Sequence, residues 1–198
     1  MMLSEVTPVP QAALPVAEFK DHLRLGTGFA DDGNQDALAE SYLRAALAAI
    51  EGRIGKALMA RDFLLELNGW RWPDSQAFPL APVSTVGSVT VRDRDGVPVL
   101  IDPTRYRLER DAHRPKIVAS GALLPGIPVG GTVEVVFTAG FGPAWSHVPV
   151  DLAQAVFLLA AQYHETRHES GAGQAMPFGV MALIERWRTV RVLGGGAA

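Results

Sequence analysis

Leu43, Leu47, Ile50 and Ile54 recur at 4-3-4 spacing inside QDALAESYLRAALAAIEGRIGKAL (35–58). That spacing puts all four on one face of a helix and demands an apolar surface to cover them. Ala45, Ala46, Ala48 and Ala49 thin the same helix, so that neighbours can approach closely. A core helix is the first reading of such a segment, and a subunit interface is the second. A further helical segment, VPVDLAQAVFLLAAQYHETRHE (148–169), carries Leu152, Val156, Leu159 and Tyr163 on one face. Its first three turns are apolar nearly all round, which predicts a largely buried helix, and Asp151 suits a cap or first-turn position after Pro149.

Between these helices the hydrophobic period changes. RDFLLELNGW reads as a strand and a turn, and RWPDSQAFPLAPVS as a Pro-rich loop. SVTVRDRDGVPVLI alternates through Val89 and Val91 to Asp95-Gly96 and a second apolar run, which predicts a hairpin. RYRLER and PKIVAS are short strand candidates, and GGTVEVVFTAGFG alternates Val133, Val135 and Phe137 after a Gly-Gly turn. The chain is therefore expected to be α+β, with a helical core of about four helices and a β-rich insert over 61–140 between the second and third. The expected divisions are an extended N-terminal arm at 1–15, a main domain at 16–175 with helices 16–25, 35–58 and 149–169, and a C-terminal segment and flexible tail at 176–198. Arm and tail are expected to lack fixed structure until a partner binds.

Composition narrows the function classes. With 48% hydrophobic and 20% charged residues, 198 residues can bury a core without staples, and the absence of Cys excludes disulfides and thiolate metal sites. The formal net charge of −3 gives no global attraction to DNA or anionic lipid. No apolar run approaches a membrane span, and MMLSEVTPVPQAALP lacks the basic and apolar regions of a signal peptide.

One motif points to chemistry, and to an alternative function as a zinc-dependent metallopeptidase. HETRH at 164–168 matches H-E-x-x-H, in which His164 and His168 would share a helix face and bind zinc while Glu165 polarises the metal-bound water. Gly171 extends the match. The third ligand is missing, because Gln174 stands where a histidine is needed and Glu185 is the only obvious substitute. Arg167 would place a cation beside the metal, whereas His and Arg in a last helical turn suit a helix C-terminus without any metal. The residues therefore read as a decoy, and neither a catalytic site nor a cofactor is expected. His22, His113 and His147 read as surface or turn residues, and Trp70, Trp72, Trp145 and Trp187 as packing groups rather than a base-stacking surface.

The order of segments resembles the head–tail connector (adaptor) family of long-tailed bacteriophages, prophages and gene transfer agents. The likeness runs over about residues 14–170. LPVAEFKDHLRL resembles the family's opening helix and LRAALAAIEGRIGKAL its second helix. LNGWRWPDSQAFPLAPVSTVGSVTVRDRDG resembles its strand, Pro-rich L-P-x-x-P-V stretch and V-x-V-x-D-x-D-G run, and the order continues through YRLERDAHRPKIV and VEVVFTAGFGPAWSHVPVDLAQAVFLLAAQYHETRHE. Tyr163, Glu165 and Arg167 fall where the family's long helix ends in an aromatic stretch and E-x-R.

The resemblance implies a non-enzymatic subunit made in the bacterial cytoplasm and built into the head–tail junction of a particle. It implies a ring of identical copies, commonly twelve, below the portal protein, with a head-completion, stopper or tail protein beneath it. Double-stranded DNA would pass through the lumen without specific binding, and no membrane partner is implied. A tail-completion or terminator ring is the alternative within the same particle. The C-terminal segment would dock on the portal. There Leu183, Ile184, Trp187 and Val190 form an apolar strip flanked by Arg186, Arg188 and Arg191, which the lone chain is expected to have no place to bury.

Overall fold

A computed structural model describes residues 1–23, 33–166 and 176–188. The order of elements is β1 (Met2–Glu5), α1 (Val16–His22), α2 (Gly33–Ile54), β2 (Arg61–Leu67), β3 (Ser75–Ala77), β4 (Val83–Arg92), β5 (Pro98–Leu100), β6 (Tyr106–Glu109), β7 (Lys116–Ala119), β8 (Thr132–Ala139), α3 (Val150–Glu165) and α4 (Phe178–Ile184). The α+β class and the β-rich region between the second and third helices are as expected. No helix among the described residues is long and apolar enough to cross a membrane.

The helices share one core. Leu43, Leu47, Ile50 and Ile54 of α2 are all buried, as their spacing requires, and face Leu152, Val156 and Leu159 of α3. Phe19 brings α1 into the same core, where its ring lies 5.8 Å from that of Phe157. Ala46 is buried but Ala45 and Ala48 are exposed, so part of the thin alanine surface faces outward. Gly55, at φ 67°, ends α2 in the left-handed conformation that a glycine adopts without cost.

The strands form two antiparallel sheets, one of five strands in the order β1-β2-β8-β4-β5 and one of three in the order β3-β7-β6. Period-two alternation decides which residues enter the second core: Phe63, Leu65 and Leu67 from β2, Val133, Val135 and Phe137 from β8, and Val89 and Val91 from β4. Phe63 and Phe137 are cross-strand partners with ring centroids 5.7 Å apart. The two cores meet where the chain leaves β8. Gly140 has φ 134°, and a Cβ there would lie 2.4 Å from the backbone of Met59 and Ala60, so the close approach of the two segments requires a glycine.

Two strands were not anticipated. β3 forms inside the stretch read as a Pro-rich loop. β1 forms inside the segment expected to be a loose arm and pairs along β2 from Met2↔Glu66 to Glu5↔Phe63. Val9 and Leu14 of the same segment are buried in the helical core. The arm holds because β2 has an open edge to offer and Glu5 finds Arg61, neither of which local sequence displays.

Candidate functional site

The C-terminal segment, expected to carry the partner-binding residues, is seated on its own domain. Val180 and Ile184 are fully buried, and Leu183 and Trp187 pack against the helical core. The strip therefore does have a place in the lone chain. Helix α3 is apolar over most of its circumference, and the face that α2 leaves uncovered receives α4.

Asp151, in the first turn of α3, fixes the end of that seat. The Trp187 indole Nε1–H donates to its Oδ2 at 2.7 Å, and the Arg186 Nε lies 2.7 Å from the same oxygen. The Arg186 guanidinium stacks over the Trp187 ring at 4.9 Å, and Phe141 meets that ring edge-on at 5.4 Å. Burial pushes the Asp151 carboxyl up, but the bonds from Trp187 and Arg186 outweigh it and hold the group below the usual carboxylate range. Arg188 pairs with Glu185 at 3.0 Å on the exposed side. Val190 and Arg191 lie outside the described residues. Thus Ile184 and Trp187 hold the segment down, while Arg186, Arg188 and the 83% exposed Phe178 remain on the surface.

The H-E-x-x-H match begins at the other end of helix α3. His164 sets its ring edge-on to Tyr42 at 5.8 Å, and Glu165 is the last residue of the helix. Arg167, His168 and Gln174 lie outside the described residues. Glu185, the substitute third ligand, is ion-paired with Arg188. No group of three metal-capable residues occurs among the described residues. The other histidines have local partners: His22 lies 5.5 Å from the Phe157 ring, His113 Nδ1 is 3.4 Å from Lys56 Nζ, and the His147 ring meets the Ala144 backbone.

Sequence reading missed two charged groups that join the helical and β-rich units. Arg61 at the start of β2 makes two bonds to the Glu51 carboxylate of α2, at 3.0 and 2.7 Å, and its Nε lies 3.0 Å from Glu5 of β1. Glu51 also accepts from the Leu58 N–H at 2.7 Å. Arg61 and Glu51 side chains are only 8% and 12% exposed, so their charges compensate one another rather than meeting water. Lys56 is fully buried and donates to the Ala112 carbonyl; burial lowers its pKa, and nearby Asp111 opposes that. No pattern in the sequence marks these residues, since their partners are far away along the chain.

No protein-family model and no curated protein matches the chain. Solved structures do match. A chain in the neck of an empty GTA particle, computed with C6 symmetry, is 66% identical with a TM-score of 0.89, and a chain in the virion of a native gene transfer agent (GTA) particle is 66% identical with a TM-score of 0.87. A chain in the neck of a native GTA particle, computed with C12 symmetry, is 61% identical with a TM-score of 0.84. Each match covers 98% of this chain and 99% of the other. With two thirds of its residues shared over nearly its whole length, in a fold that superposes throughout, the chain belongs to the family of neck proteins of gene transfer agent particles.

Proposed function

We propose that the chain is the adaptor of such a neck: twelve copies form a ring below the portal, extend the DNA channel and give the next head-completion or tail protein its platform. The observation that carries this reading is the 61% identity, over 98% of the chain, to a subunit of a neck computed with C12 symmetry. Segment order supports the adaptor assignment, since the likeness to the connector family runs through both long helices and the β-rich insert between them. The exposed Ala45 and Ala48 of α2 would let a neighbouring copy come close. A formal charge of −3 suits a ring through which DNA slides without sticking.

The portal contact in this reading falls on the outer side of the C-terminal segment. Arg186, with 70% of its side chain exposed, and Arg188, with 45%, can reach carboxylates of a partner. Residues 189–198, with Val190 and Arg191, would continue that contact. Ile184 and Trp187 act as the fixed seat behind it, not as anchors inserted into the portal.

Mixing purified full-length protein with its portal, and measuring mass in solution, tests the assignment. A complex with twelve copies per portal is expected, and deleting the gene should leave DNA-filled heads without tails. Capture by tail protein and not by portal would overturn the adaptor reading in favour of a terminator.

A further inference from the structure

The five-stranded sheet ends in two edges that both carry exposed large apolar side chains. At one edge β1 and the residue after it expose Met2 (56%), Leu3 (37%) and Val6 (52%). At the other, the β4–β5 hairpin exposes Val97 (55%), Val99 (57%) and Leu100 (69%). All three residues of β5 are exposed, so neither face of that strand is covered. An isolated chain gains nothing from such edges, which are a standing liability unless something packs on them.

A rotational ring needs two different and complementary surfaces on each copy, because every contact in it is head-to-tail. Resting on the ring reading above, we propose that neighbouring copies meet edge to edge across this sheet, the Val97–Leu100 edge of one copy packing on the Met2–Val6 edge of the next. Three features make the pair fit. Each edge lies at the opposite end of one sheet, so the two cannot satisfy one another within a chain. Four successive antiparallel pairings mean that β1 and β5 run in the same direction, so rotation about an axis along the strands presents them side by side with the same polarity. Finally, β1 is a preformed surface: it is hydrogen-bonded to β2 along its length, Val6 N–H donates to Asp62 O at 2.8 Å, and Glu5 is held by Arg61. Pro98 lacks an N–H and blunts the hairpin edge against continuous strand pairing. The contact is therefore apolar side-chain packing between edges.

Cysteine cross-linking tests this directly, because the chain has no cysteine of its own. The two edges are separated by four interstrand spacings, roughly 19 Å, whereas a disulfide spans about 4.4–6.8 Å between Cα atoms. A link between positions 3 and 99 can form only between copies. Full-length protein carrying Leu3→Cys with Val99→Cys, incorporated into particles and oxidised, should give a ladder of linked oligomers beyond the dimer, and each single variant should give none. A second variant, Val99→Asp with Leu100→Asp, should melt like wild type, since both positions are exposed, and should lose at least tenfold in neck occupancy. Particles whose neck contains a ring of this chain but yield no ladder, or an Asp variant that fills the neck normally, would overturn the edge-to-edge contact while leaving the ring standing. If wild-type necks hold no ring of this chain, the ring reading fails and this contact with it.

Discussion

Ile184→Ala tests the seat of the C-terminal segment. Ile184 is fully buried between α4 and the helical core, beside the equally buried Val180. The substitution deletes three carbon atoms. At about 0.8 kcal/mol for each buried methylene the transfer loss is about 2.4 kcal/mol, and the cavity left behind brings the range for such changes to about 2–5 kcal/mol. In a chain of this size about 1 kcal/mol moves Tm by about 2–4 °C, so a drop of about 4–20 °C is expected. The assay is thermal and urea unfolding of the isolated full-length protein, with Phe178→Ala as control. Phe178 lies in the same helix but is 83% exposed, and should change stability by no more than about 0.5 kcal/mol. If Ile184→Ala melts with wild type, α4 is not seated on α3 in the isolated protein. The segment would then be a free docking arm whose apolar strip waits for a partner.

Three further outcomes are expected. Arg61→Ala strands the Glu51 carboxylate at the junction of the helical and β-rich units and should cost about 3–5 kcal/mol, read by urea denaturation; a loss below 1 kcal/mol would show that water screens the pair. Asp151→Asn should remove a pH-dependent contribution: because the folded pKa is depressed, the carboxylate's stabilisation is present above the unfolded value of about 3.9 and disappears as pH falls through the folded one. The variant should thus be less stable than wild type at pH 7, and its deficit should shrink in thermal melts as pH falls below the unfolded value; a deficit that does not change with pH would refute the charge argument. Purified protein should carry far less than one zinc per chain by elemental analysis, and His164→Ala with His168→Ala should leave particle assembly intact; stoichiometric zinc together with lost assembly would restore the metal reading of that helix.

How much was legible in advance depended on where the partners of each residue lie. The stripe Leu43-Leu47-Ile50-Ile54 and the alternation of Val133, Val135 and Phe137 are local signals, and both groups are buried as their periods dictate. The helix–sheet–helix order follows from them, because an apolar stripe with a period near 3.6 and one with a period of two cannot sit in the same element. HETRH is a local signal too, and Gln174 and Arg167 are what weigh in the sequence against a metal there. What required the tertiary structure was every element whose stability is borrowed. Residues 2–5 carry no strand signal and are a strand only because β2 has an unpaired edge and Arg61 receives Glu5. The Leu183–Trp187 strip looks unpartnered along the chain, yet α3 offers it an apolar face and Asp151 a bond, 36 residues before Trp187. Nothing local marks Lys56 or Arg61, and only the fold turns one into a buried donor to a distant loop and the other into the pin between two cores. Local periodicity determines what an element is, because it depends on neighbours a few residues away; where an edge, a charge or a last helix comes to rest depends on surfaces that exist only once the rest of the chain has folded.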